Sequence, residues 1–251
     1  SGSFTLKYIP RMPYKSINAL SLVALLLLSQ AAQAASDLSA AAQAQLDSNA
    51  KAVFKGQVMP PDVRAMCTQE LRRERERKTL KFDAYKEFGA SCMYPGMEQL
   101  LLDEVVLNEK ERKDPAIVAN VKAADEVLTY ITFAVKTDNG DFIGYWQWPK
   151  GTSISEARIV SFDTEGQFKL LDGRTITEAL LLYWANPDNE GNTPKKYQRA
   201  RKNLEELGSG PIPATYQLLY EQPLKRVQMT PEKLHEVLFE RYLREALGKK
   251  K

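Results

Sequence analysis

A chain of 251 residues with 35 Lys+Arg against 32 Asp+Glu has room for one domain with extensions and is close to charge balance. That balance excludes a strongly basic nucleic-acid binder. One histidine and two cysteines are too few for a zinc centre of four Cys and His ligands and remove most nucleophile–histidine–acid arrangements.

The N-terminal region reads as a secretory signal peptide. Lys15 follows Met12 with no acid nearby, an apolar run extends from Ile17 to Leu28, and Ala32-Gln33-Ala34 offers a small-residue cleavage site. The run is about a dozen residues, whereas a membrane span needs roughly 20. Residues Ser1–Arg11 read as added or upstream sequence, with the start expected at Met12. The expected division is therefore signal peptide 1–34, an α+β domain 35–185 and a C-terminal helical extension 186–251. Losing Lys7, Arg11 and Lys15, with no acid, leaves 32 basic and 32 acidic residues. The mature chain is expected to be a neutral, periplasmic or secreted protein without a membrane span. The mixed run Arg72–Lys78 interleaves acids with bases and reads as a solvated helix face.

In chain order, Asp37–Phe54 predicts a helix, with Leu38, Ala42, Leu46 and Ala50 at helical spacing. Gly56–Pro61 breaks it. Pro60-Pro61-Asp62 opens a second helix running to about Leu80. Phe82–Tyr94 is ambiguous, Pro95-Gly96 is a turn, and Met97–Leu107 is helical. Asn108–Lys113 reads as a charged loop or helix end. Val127–Val135 alternates β-branched and aromatic residues and predicts a strand. Asp138-Asn139-Gly140-Asp141 is a hairpin turn, and Phe142–Trp148 is the returning strand. Arg158–Phe162 and Gln167–Leu171 predict two more strands around Asp163–Gly166. Thr175 caps a helix from Ile176 to Trp184. After the polar loop Asn186–Pro194 come a helix to Leu207, a short helix within Ala214–Tyr220, and a last helix opened by Thr230-Pro231-Glu232. The expected fold class is α+β: a four-stranded antiparallel meander packed by helices, with N- and C-terminal helical extensions.

Cys67 and Cys92 form an even pair, which an oxidising compartment bridges. Closing about 25 residues would stabilise the fold by ~3–4 kcal/mol in the chain-entropy view. Two buried free thiols are the alternative.

No nucleotide-, metal- or serine-hydrolase motif is present, His235 lies on the last helix without a companion nucleophile, and neither cofactor nor metal is expected. Asp138, Asp141, Asp163, Glu165 and Asp172 cluster at turns, where Asn/Asp/Gly chemistry is needed anyway; a pair such as Asp141 and Asp163 could alternatively act as general acid and base on a glycan. The most distinctive segment is Ile143–Trp148. On a strand, Gly144, Trp146 and Trp148 share one face and Tyr145 the other. Those rings either pack in the core or anchor a protein partner.

The stretch Val127–Tyr183 carries Phe133-Ala134-Val135, Asn139-Gly140-Asp141, Ile143-Gly144-Tyr145-Trp146, Ile159–Asp163, Glu165-Gly166 and Ile176–Leu181. It resembles the SUKH superfamily, cell-wall-assembly-regulator-like proteins of which many are immunity proteins paired with toxins. The family's upstream Leu-Pro-x-x-Tyr segment has only a distant counterpart in Phe82–Gly89, and the family is mostly cytosolic. The resemblance implies binding without catalysis. The expected function is an exported, non-enzymatic protein-binding domain, with Tyr145, Trp146, Trp148, Asp138 and Asp141 as candidate binding residues and a toxin as a candidate partner. The rivals are an envelope hydrolase using paired carboxylates and a structural envelope protein.

Overall fold

The computed structural model describes residues 38–76, 87–97, 107–189, 191 and 193–248. The expected signal peptide, the end of the second expected helix and most of the expected Met97–Leu107 helix lie outside these residues.

Helix α1 (Ala40–Val53) starts where the Ser39 hydroxyl accepts the Ala42 N–H, and it buries Ala42, Leu46, Ala50 and Val53 at helical spacing. Helix α2 (Pro61–Glu76) has proline at its first position, where no N–H is needed. It is buried along much of its length, from Asp62 and Val63 to Glu70 and Leu71. Strand β1 (Ala90–Cys92) follows. Helix α3 (Pro115–Leu128) is capped by Asp114, which accepts from Ala116 and Ile117 N–H, and buries Ala119, Ala123 and Val127. Then come β2 (Ile131–Thr137), β3 (Phe142–Trp146), β4 (Arg158–Phe162) and β5 (Phe168–Leu170). The C-terminal third supplies α4 (Ile176–Trp184), α5 (Pro194–Glu206), the short α6 (Tyr216–Tyr220) and α7 (Pro231–Ala246).

The α+β class is the one expected, and the strands form one antiparallel sheet in the order β1-β2-β3-β4-β5. The sheet has five strands, not four. The added strand is β1, from the segment whose sequence was ambiguous. It is too short to show alternation, and its pairing with β2 (Cys92 opposite Val135) is non-local. A second difference is α3. Val127 is the last inward residue of a helix, and β2 begins at Ile131.

The two middle strands are buried on both sides. On β3, Ile143 and Tyr145 face one layer, where the Phe54 ring at the end of α1 lies 6.3 Å from Tyr145. Phe142 and Trp146 face the other. There Phe133, Phe142, Phe162 and Phe168 make successive ring contacts across the sheet and end at His235 of α7. Gly144 sits between Phe142 and Trp146, opposite a bulge in β2 at Phe133/Val135. A Cβ there would lie 2.4 Å from the Thr132 carbonyl oxygen, so only glycine allows β2 this close.

Both sheet edges end on a helix carboxylate. At the β1 edge Glu70 of α2 accepts the Cys92 N–H at 2.7 Å. At the β5 edge Glu232, in the first turn of α7, accepts the Leu170 N–H at 3.3 Å. Unpaired edge N–H groups template further strands. Here two of them are taken by side chains, and each edge strand is only three residues long.

Residues after 186 share the core of the preceding ones. Tyr197, Ala200, Leu204, Ile212, Leu219, Leu234 and Leu238 belong to the same buried cluster as the sheet residues. The expected C-terminal extension is thus packed into the hydrophobic core.

Candidate functional site

Cys67 and Cys92 are bonded, with Cα atoms 5.7 Å apart, and join α2 to β1. Both are buried. Glu70 lies one helical turn beyond Cys67 and binds the Cys92 amide, so staple and hydrogen bond hold the same short strand.

The aromatic strand sits inside the protein. Trp146 is 1% exposed, Tyr145 3%, and the Trp146 indole N–H donates to the Met229 carbonyl at 2.9 Å. The strand ends at Trp146, so Trp148 is not on its face. It is half-buried against the core, just before Pro149. This corrects the reading of Tyr145 and Trp146 as partner anchors: helices cover both sheet faces, so these rings pack and do not display. The Tyr145 hydroxyl is buried without a hydrogen-bond partner among the described residues, and burial, aided by the nearby Asp62 charge, holds its proton well beyond the ordinary tyrosine range.

Of the turn aspartates, Asp138 and Asp141 are held through their backbone and Asp163 through its carboxylate. Asp138 donates its N–H to the Gly89 carbonyl, and the Asp141 N–H is accepted by the Thr137 hydroxyl. Asp163 accepts from the N–H groups of Glu165 and Gln167 at 2.9 and 2.8 Å, the side-chain mimicry expected of such turns. The β2–β3 and β4–β5 turns lie side by side at one end of the sheet, where Phe142 pairs with Phe162 and Gly140 packs against Thr164, so Asp141 and Asp163 stand on neighbouring turns, while Asp172 follows β5 at the other end. Among the described residues no group of three or more His, Cys, Asp and Glu side chains is placed to hold a metal ion.

The carboxylates with unusual surroundings are ones that the sequence did not single out. Asp62, 3% exposed, accepts the Thr177 N–H at 3.2 Å and its hydroxyl at 3.3 Å, linking the first turns of α2 and α4. Glu178 accepts from Arg174 N–H and from the Gln222 side chain. The signal for both was local: each stands in the first turn of a helix that opens with Pro or Thr. What their neighbours would be was not local.

Burial raises the Asp62 carboxyl above 3.8, outweighing the opposing bonds from Thr177 and Val63. The folded state thus holds its proton to higher pH than the unfolded chain. Its favourable contribution is complete below the unfolded value and is lost as pH rises through the folded value. Glu70 shifts in the same direction, again chiefly through burial. Asp62→Asn is expected to be more stable than the native protein at pH 7, with the difference shrinking towards pH 4 and vanishing below about pH 3, where the native carboxyl is protonated in both states. Asp62→Ala, which strands the Thr177 donors, should lose about 2 kcal/mol at pH 4 and less at pH 7, where the native protein itself bears the cost of the buried charge. Urea unfolding of the three proteins at pH 4 and pH 7 checks this. An Asn variant destabilised equally at both would remove the assigned cause.

Apolar groups do reach solvent elsewhere. Helices α4 and α6 touch one another. Between them they expose Tyr183 (73%), Leu218 (55%) and Tyr220 (54%). Tyr220 lies parallel to Tyr216, with ring centroids 6.3 Å apart, and Tyr216 meets Tyr197 of α5 edge-on. Lys196 stands over the Trp184 ring, which also meets Phe88 edge-on.

Fold and site define a disulfide-stapled α+β protein whose polar buried groups hold helix ends and sheet edges. The chain matches no protein-family model, no curated protein and no solved structure among those it was compared with. No helix among the described residues is long and apolar enough to cross a membrane.

Proposed function

We propose that this chain is an exported, non-enzymatic protein-binding domain, of immunity type, that works in the cell envelope on a protein partner such as a toxin. The observation that carries the reading is the exposure of Tyr183, Leu218 and Tyr220 on the adjoining helices α4 and α6. Tyrosine presents a large amphipathic surface at low entropic cost and is enriched where proteins meet. The buried Cys67–Cys92 bond supports export, because such bonds persist in oxidising compartments. The likeness to SUKH proteins rests on the residues of Val127–Tyr183 named above. The contact surface in this reading is α4–α6, not the strand carrying Trp146.

The test is site-specific photo-crosslinking in producing cells, with the reactive residue at Tyr183, at Tyr220 and, as a control, at exposed Lys110. The expected result is one common adduct from the first two positions and none from the third. Tyr183→Ser with Tyr220→Ser should abolish its formation, measured from position 218, without changing the thermal midpoint. No adduct, or the same adduct from all three positions, would defeat the reading.

A further inference from the structure

Helix α7 presents two unlike faces. Its inner side buries Pro231, Leu234 and Leu238 and is tied to α3 through Glu126, which accepts from Arg241 and from the Tyr242 hydroxyl. The opposite side carries Val237, Glu240, Arg244 and Leu247. Their spacing places all four along one line on the helix surface. Val237 and Leu247 are 46% and 49% exposed, and Glu240 and Arg244 between them are exposed as well.

We propose that this outer face of α7 pairs with the same face of a second copy of the chain, antiparallel, about a two-fold axis level with Tyr242. The argument is self-complementarity. A two-fold contact must match a surface to itself, so whatever lies a given distance before the axis meets whatever lies the same distance after it. Five residues either side of 242 are Val237 and Leu247; two either side are Glu240 and Arg244. Apolar therefore meets apolar and acid meets base, twice each, in one register. A parallel pairing would set Glu240 against Glu240 and Arg244 against Arg244. The contact is independent of the α4–α6 surface. A helix of 16 residues is about 24 Å long, which keeps the interface below the standard size and the dimer weak.

Sedimentation velocity over a broad concentration range, at low and high salt, tests it. The expected result is a reversible dimer that weakens with salt. Glu240→Arg and Arg244→Glu should each raise the dissociation constant at least tenfold, and the double exchange Glu240→Arg/Arg244→Glu should restore it, since opposite charges face again. Val237→Ser should weaken the dimer in the same way. All these sites are exposed, so thermal midpoints near that of the native protein should verify the fold. A monomer at every concentration, meaning that the face meets solvent or another protein, would overturn the proposal. So would a dimer indifferent to Glu240→Arg, or a double exchange that fails to recover.

Discussion

Trp146→Ala is expected to cost about 4 kcal/mol of folding stability, the range for removing a large aromatic from a packed interior. The side chain is 1% exposed, lies 6.0 Å from the Tyr130 ring, and bonds a carbonyl 83 residues away at Met229. Truncation opens a cavity between the sheet and the segment leading into α7, and leaves the Met229 carbonyl without its donor. Trp146→Phe separates the two effects. It keeps most of the ring volume and loses the hydrogen bond, so about 1–2 kcal/mol should suffice. Denaturant unfolding of the three proteins measures both. If Trp146→Ala unfolds at the native midpoint, the indole is not a core residue and the strand carrying it returns as a candidate contact surface.

That residue also marks what the sequence could and could not show. The hairpin signal at Asn139-Gly140, the Thr175 cap and the Thr230-Pro231-Glu232 helix start are local devices, and the structure has each where it was expected. Alternation along Ile143–Trp146 identified a strand, but period-two patterning tells only that two faces differ. It does not tell whether a helix covers the second one. Here both are covered, by residues from Phe54 on one side to His235 on the other, and the free aromatic face vanished. Helix α3 was overlooked for the opposite reason. Its inward positions, Ala119 and Ala123, are small and give a faint stripe, and the β-branched residues that follow drew the strand boundary back to Val127. Asp114-Pro115 was the signal that could have found it. Strand β1 has only three residues and exists because of β2, Glu70 and the bond at Cys92; no window of sequence holds those partners together. Buried Asp62 shows the same limit. Its place in a first turn was legible, while Thr177 lies 115 positions away.

Removing the staple should have an effect nearly as large. The Cys67–Cys92 bond spans 25 positions, and closing a loop of that size in the unfolded chain lowers its entropy enough to stabilise the fold by about 3.5 kcal/mol in the chain-entropy model. Cys67→Ala with Cys92→Ala is expected to lose about that much, read from denaturant unfolding with the slope fitted separately for each protein, because the unlinked unfolded chain is less compact and its slope steeper. The loss should also have a place. β1 is an edge strand anchored by β2, the Cys67 sulfur and the Glu70 carboxylate. With the sulfur link gone, one charge-assisted bond and a three-residue ladder must hold it, so the Cys92 position should exchange its amide hydrogen faster than the β3 amides do. Mild reductant should leave the native protein unchanged over short times, because the two cysteines are only 4% and 1% exposed and must first be uncovered by opening of that edge. A double variant with the native midpoint would mean that the bridge constrains little in the unfolded chain. One with uniformly accelerated exchange would mean that β1 is no separate edge element but part of the central sheet's cooperative unit.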